Sequence, residues 1–348
     1  MTLTLTGVPR RHAILVDAGY LLAASAHMIQ GTSLRRSIQV DWDKLIQHLK
    51  EGVSERACSS ELLRLFWYDA TDVERTAKRN REHDLLPFID DVKLRLGRMN
   101  SEGQQKGVDL RIGLDMVNLA LQKAVTDVYL ISGDDDISEA VEMAQEYGLR
   151  VHLFNVPDDT SRLTVRATAY NLVKIVDTCT AIKPELLRDA IRPSKVSQIA
   201  PVTPVCPTPA PAPVPAADRR GPVPSPAMFN GSAPFLASSS SRTVYSTGSG
   251  GTGYYYGDLA VDQELAEYIP DVARTVAKGW LGSITQAELQ QALRGKPSIP
   301  QDVDRSLLQD LTTKSGDANH VLSYDLKVDL RAQFWRAVEE VSSPARVR

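Results

Sequence analysis

Four aspartates sit where an α/β sheet would present them together. Asp17 ends the apolar run Ala13-Ile14-Leu15-Val16, while Asp134 and Asp136 follow the run Val128-Tyr129-Leu130-Ile131 after the turn Ser132-Gly133. Asp109 opens an amphipathic segment just after Gln104-Gln105-Lys106-Gly107. Carboxylates brought close repel one another, so such a set is costly unless a cation neutralises it. A hard divalent ion with oxygen ligands, Mg²⁺ or Mn²⁺, meets that need. A site of this kind activates water and steadies an in-line phosphoryl displacement. Singly, each acid is equally well explained as a turn or helix-cap residue. The weight rests on the constellation. Asp135, between two better candidates, is expected to be a turn or cap residue. Asp115 lies about 240° round a helix from Asp109 at ~100° per residue, so it is expected to support the site or face solvent.

The elements that must position these acids are legible as alternating strands and helices. Short apolar runs at 13–16, 62–68, 92–96, 128–131 and 151–154 read as strands buried on both faces. Ile112, Met116, Leu119 and Ala120 recur at helical spacing, as do Ile137, Val141, Ala144 and Tyr147, which Gly148 follows as a stop. Strand, helix, strand at this rhythm makes right-handed parallel crossovers, hence a Rossmann-like parallel sheet sandwiched by helices. In such a sheet ligands bind beyond the carboxyl ends of the strands, which is where the acids fall.

The chain has 348 residues, enough for two domains, and composition divides it. Twelve of the 20 prolines lie between Pro193 and Pro234, followed by a Ser/Gly/Tyr-rich stretch to Gly257. Such a segment cannot bury enough apolar surface to offset its ordering entropy. The expected organisation is an α/β domain at 10–182, a Pro/Ala/Ser/Gly-rich linker at 183–257 and a helical module at 258–345. The net charge of −3 excludes a globally basic nucleic-acid wrapper, though not a local basic groove. Three scattered cysteines, Cys58, Cys179 and Cys206, make neither a disulfide framework nor a zinc site, and no run approaches the ~20 apolar residues of a membrane helix. A cytoplasmic protein is the expectation.

The stretch QKGVDLRIGLDMVNLALQKAVTDVYLISGDDDISEAVEMAQEYGLRVHLFNV, residues 105–156, closely resembles the NYN domain, a PIN-like ribonuclease fold. The features that carry the likeness are a Lys-Gly-x-Asp helix start, an Asp six residues later and a Ser-Gly-Asp-x-Asp turn. The opening HAILVDAGYL is similar to the family's first acidic strand. The resemblance covers about residues 10–180. It implies a PIN-like fold and metal-dependent RNA cleavage, with Asp17, Asp109, Asp134 and Asp136 as catalytic and metal-binding acids. Two positions depart from the family: Tyr20 replaces the usual Asn three residues after the first Asp, and Ile137 the usual aromatic after the turn. Tyr20 removes a small polar group from the catalytic edge.

An acidic site repels phosphate unless basic groups flank it. Arg75, Lys78 and Arg79 follow the second strand, Lys106 sits beside Asp109, and Arg35 and Arg36 occupy the loop after the first helix. Such groups would hold an RNA backbone without reading bases. The run from Glu74 to Asp84 also reads as a solvated helix face. Trp67 and Tyr68 are expected in the core, and His12 and His27 in structural roles. No Gly-x-Gly-x-x-Gly, Walker loop or Gly-x-Ser-x-Gly elbow is present.

In the last third, Thr285 with Glu288 makes a capping box, and 300–311 and 328–341 read as further helices. Val321-Leu322-Ser323-Tyr324 is a candidate strand or wing, giving a mainly α, possibly winged-helix-like module. Arg294, Gly295 and Lys296 join its helix pair and could touch phosphate. Packing or self-association of this module, or a protein partner, is the competing expectation. Three functions therefore stand: an endoribonuclease, a non-catalytic RNA-binding or scaffolding regulator that keeps the fold, and a phosphoacceptor domain. The last is opposed by the want of a suitably placed lysine.

Overall fold

A computed structural model describes residues 10–57, 59–71, 81–99, 105–157, 170–194, 259–315 and 320–342. The linker at 195–258 lies outside them, as do Arg75, Lys78 and Arg79.

The first strand, β1 (Arg11–Asp17), runs straight into α1 (Ala18–Gln30) because Asp17 caps the helix. A 3-10 turn, Arg35–Ser37, leads to β2 (Ile38–Val40) and to α2 (Trp42–Ser54), which Asp41 caps. Next come β3 (Glu61–Thr71), α3 (Arg81–Leu85), β4 (Val92–Met99) and the two-residue β5 (Gln105–Lys106). The chain continues through α4 (Val108–Leu121), β6 (Asp127–Ile131), α5 (Ser138–Glu146) and β7 (Arg150–Asn155). It then forms α6 (Tyr170–Ile175), β8 (Thr178–Ala181), α7 (Pro184–Ala190) and β9 (Ile191–Pro193). Four helices follow: α8 (Leu259–Leu281), α9 (Gln286–Arg294), α10 (Gln301–Ser315) and α11 (Tyr324–Ser342).

Seven strands form one sheet in the order β5-β4-β3-β1-β6-β7-β8. All pairs are parallel except β4 with the edge strand β5. The chain leaves β1 toward β3 and β4, then returns to lay β6 on the other side of β1. That reversal opens a crevice beyond the carboxyl ends of β1 and β6. Val16 of β1 pairs with Ile131 of β6 and Asp17 with Tyr68 of β3, so the acids after β1 and β6 start at one level.

Both faces of the sheet are covered, which is why β1 reads as an unbroken apolar run. Ile14, Val16, Leu65, Trp67 and Ile131 point to one side, against Leu21 of α1 and Leu45 and Leu49 of α2. Ala13, Leu15, Phe66, Tyr68 and Leu130 point to the other, against Ile112 and Met116 of α4 and Val141 of α5. Trp67 and Tyr68 are core residues, as expected.

Two sequence expectations need correction. Residues 184–193, assigned by composition to the linker, form α7 and β9: Leu187 and Ile191 enter the first core, and β9 pairs antiparallel with β2. The signal was hidden because so short a helix shows barely two turns of periodicity. The proposed wing is not a strand. Residues 320–323 are instead strapped to α8 by Asp262, which meets His320 Nε2 at 2.9 Å and accepts from the Ser323 amide at 3.2 Å. That bond takes up an amide a hairpin would use, and Leu322 turns into the helical core. Among the described residues the C-terminal part is helices without a strand. The capping box at Thr285 and Glu288 forms as expected. Trp280, Phe334 and Trp335 cluster at this core, and Leu34, from the loop after α1, is enclosed in it too. The described sheet and C-terminal helices fall within one compact unit. Among the described residues no helix is long and apolar enough to cross a membrane.

Candidate functional site

Asp17 stands at the strand-to-helix junction, and its Oδ1 accepts from the Tyr20 amide at 3.2 Å. It is almost wholly buried, and burial, joined by the charges of Asp109 and Asp69, pushes its carboxyl up to about 7. The Tyr20 side chain is partly buried against the first core, so at this position the chain contributes a packed ring and an amide donor.

Asp109 lies in the first turn of α4. Gly107 makes that placement possible: its φ of +81° turns the chain from β5 into the helix in the left-handed region that favours glycine. Burial, then Asp134 and Asp136, raise the Asp109 carboxyl. Asp134 caps the 3-10 turn Asp135–Ile137, its Oδ1 accepting from the Asp136 amide at 2.9 Å. Asp136 faces solvent. Asp17, Asp109, Asp134 and Asp136 are thus brought to one edge, Asp134 and Asp136 acting on Asp109 and Asp109 on Asp17. Among the described residues, no three His, Cys, Asp or Glu side chains stand close enough to hold a metal ion unaided.

The neighbouring acids behave as turn and support groups. Asp135 accepts from the Leu172 amide at 3.0 Å and from Asn171 Nδ2 at 3.3 Å, fastening the turn to α6. Asp115 accepts from the Tyr68 hydroxyl at 3.0 Å and pairs with Arg95 at 3.0 Å. His12 meets Ser60 Oγ at 3.0 Å, and burial pushes its pKa down, in keeping with a structural role. His27 lies 3.7 Å from Asp310, on the side of α1 that meets the C-terminal helices.

Sequence reasoning missed Asp69. It lies in the buried stretch of β3, one residue beyond Tyr68, and is 1% exposed. Arg35 Nη1 and Nη2 donate to its two oxygens at 3.1 and 3.0 Å, and His83 Nε2 lies 3.0 Å from Oδ2. Burial alone would raise this carboxyl; Arg35 and His83 override it and hold it well below the usual carboxylate range. An acid at a strand end was the available signal, the same one that marked Asp17. Its partners, 34 residues before and 14 after, gave none.

The proposed phosphate-binding groups divide. Lys106 is in β5, its backbone paired with Arg98 of β4, beside the start of α4. Arg36 is engaged with Asp302 at 2.6 Å. In the C-terminal part, Lys296 pairs with Glu339 and lies 4.9 Å over the Trp335 ring, so that loop lysine serves the fold.

The NYN domain model matches residues 11–177. An uncharacterised Sinorhizobium fredii protein, y4oD, is 53% identical over 68 residues, which are 20% of this chain and 32% of that one. The match thus spans about a third of that relative's length. A crystal structure of a Vibrio parahaemolyticus protein of unknown function, VPA0982, aligns at 21% identity and a TM-score of 0.37, covering 54% of this chain and all of that one.

Proposed function

Residues 11–177 are an NYN domain, and from that premise we propose that the chain is a divalent-cation-dependent endoribonuclease that hydrolyses RNA phosphodiester bonds at the Asp17–Asp109 edge. The observation that carries this reading is electrostatic. Asp17 and Asp109 both have carboxyls raised by burial and by neighbouring carboxylates, at the crevice where the strand order reverses. An edge with that cost built in is suited to binding positive charge.

The donor chemistry fits a hard cation. All four groups are carboxylates, and Mg²⁺ keeps several waters of its own, so a pre-formed cage of three protein ligands is not required. Asp17, Asp109, Asp134 and Asp136 would hold Mg²⁺ or Mn²⁺, which when bound supplies charge neutralisation and an acidified water for attack on phosphorus. The chain's own groups do the rest. The Tyr20 and Asp136 amides orient one oxygen each of Asp17 and Asp134. Asp17, whose carboxyl burial raises to about 7, would serve the cation as its carboxylate. Lys106, with Arg75, Lys78 and Arg79, would hold the RNA backbone.

A second reading, an RNA-binding or scaffolding protein without catalysis, draws on Tyr20 and on the looseness of the acid group. Thermal stability followed through a Mn²⁺ titration separates the two. A saturable rise in Tm, lost in Asp134→Asn and Asp109→Asn, supports the cation site. A Tm that ignores Mn²⁺ in the wild-type protein refutes it.

A further inference from the structure

The loop after α1 is gripped by the C-terminal helices on one side and reaches the acidic edge on the other. Asp310 of α10 is 2% exposed, and its two carboxylate oxygens accept from the Ser33 amide at 2.9 and 3.2 Å. Leu34, the next residue, is sealed in the C-terminal core with Val303, Leu307 and Leu311. From α8, Gly279 presses on both ends of the same segment. A Cβ there would stand 3.2 Å from Thr32 Cγ2 and 3.3 Å from Ser37 Cβ, tighter than ordinary contact. Between these fixed points the chain turns once, in the 3-10 turn Arg35–Ser37. From this turn Arg35 reaches back to the seven-stranded sheet, to Asp69.

We propose that Asp310 is a positioning residue for the acidic edge: by capping Ser33 it fixes the turn that delivers Arg35 onto Asp69, beside Asp17. A buried carboxylate that accepts a backbone amide 277 residues away in sequence is a tertiary clasp, since neither α10 nor the loop needs it for its own secondary structure. Without the clasp Ser33 loses its acceptor in a water-poor site, and the turn regains freedom. Arg35 then leaves Asp69 without its guanidinium partner in the crevice wall, so that more of its charge is borne by His83. The C-terminal helices act on the site through one arginine rather than by contacting RNA. The consequence for cleavage rests on the nuclease reading; the clasp does not.

Hydrogen exchange of the full-length, cation-free protein tests it, with the backbone at 32–38 and at 68–71 followed separately. Asp310→Ala is expected to speed exchange at both by about tenfold or more, with the rest of β3 unchanged. Arg35→Gln should speed it at 68–71 alone. Asp310→Asn, which keeps one acceptor oxygen, is expected to fall between Asp310→Ala and wild type, and serves if Asp310→Ala does not fold. Unchanged exchange at 68–71 in a folded Asp310 variant overturns the proposal, because a merely local cap would loosen 32–38 only. Mn²⁺ titration of the same proteins keeps the two ideas apart. Wild type that ignores Mn²⁺ refutes the cation reading, while the exchange result still decides the clasp.

Discussion

Arg35 and Asp69 form a two-pronged ion pair, 3.1 and 3.0 Å, at the wall of the acidic crevice, with Asp69 buried and Arg35 half-buried. Asp69 also meets His83, so the most buried acid of this edge is the most fully compensated one. Asp17, close by, is buried and faces the charges of Asp109 and Asp69 instead, and has its carboxyl raised to about 7. Two neighbouring acids are pushed in opposite directions, one anchored as a permanent anion and the other poised to gain or lose a proton.

Arg35→Gln is therefore expected to destabilise the protein by about 2 kcal/mol, because it removes the two-pronged partner of a buried carboxylate and leaves His83 to offset the charge. Arg35→Lys should recover only part of that, since an ammonium cannot match both oxygens at once. Urea unfolding at pH 7 measures both. The sign with pH is fixed by Asp69: a depressed carboxyl contributes stability above the unfolded value of 3.8, lost as pH falls through the folded one. The deficit of Arg35→Gln should accordingly shrink in acid.

Asp17 behaves in the opposite sense. A carboxyl raised from 3.8 to about 7 favours the folded state below pH 4, and that contribution is lost as pH rises toward and through 7. Asp17→Asn keeps a good helix cap and removes the ionisation cost. In cation-free buffer its stability should gain on wild type steadily from pH 4 to about pH 7 and level off above it, by roughly 2–4 kcal/mol at the top. Equal pH profiles for the two proteins would show that Asp17 is not strained by its neighbours.

Much of this was legible in the sequence, for a physical reason in each case. The strands at 13–16 and 128–131 are buried on both faces and read as plain apolar runs, and the acids that follow them mark the sheet's carboxyl edge. Asp135 and Asp115 were separated from the site by turn chemistry and helical angle, and the bonds to α6, Tyr68 and Arg95 agree. What escaped is tertiary. Asp69 carries no local motif, and its partner Arg35 looked like a loop cation free to hold phosphate. Leu34 gave no hint that it would sit among helices some 230 to 300 residues further on. The strap of 320–323 onto Asp262 defeated a strand assignment that β-prone residues alone suggested.

Limited proteolysis tests how the two folded parts relate. The proline- and small-residue-rich sequence at 195–258 is expected to be cut first. Because Leu34 and Asp310 join the sheet to the C-terminal helices, the fragments should remain together on a native sizing column and separate only in denaturant. Fragments that part without denaturant would contradict the shared core.

The central claim is cation-dependent cleavage at the acidic edge, and it is tested most directly by incubating a pool of end-labelled RNAs with wild-type protein and with Asp134→Asn, each with Mn²⁺ and with EDTA. The amide is nearly isosteric with the carboxylate, keeps the oxygen that caps the Asp136 amide, and cannot neutralise a cation. Discrete cleavage by wild type with Mn²⁺, abolished by EDTA and reduced at least ~10²-fold in folded Asp134→Asn, is the result this account predicts. Cleavage by Asp134→Asn at the wild-type rate, or intact RNA in every lane, would contradict it.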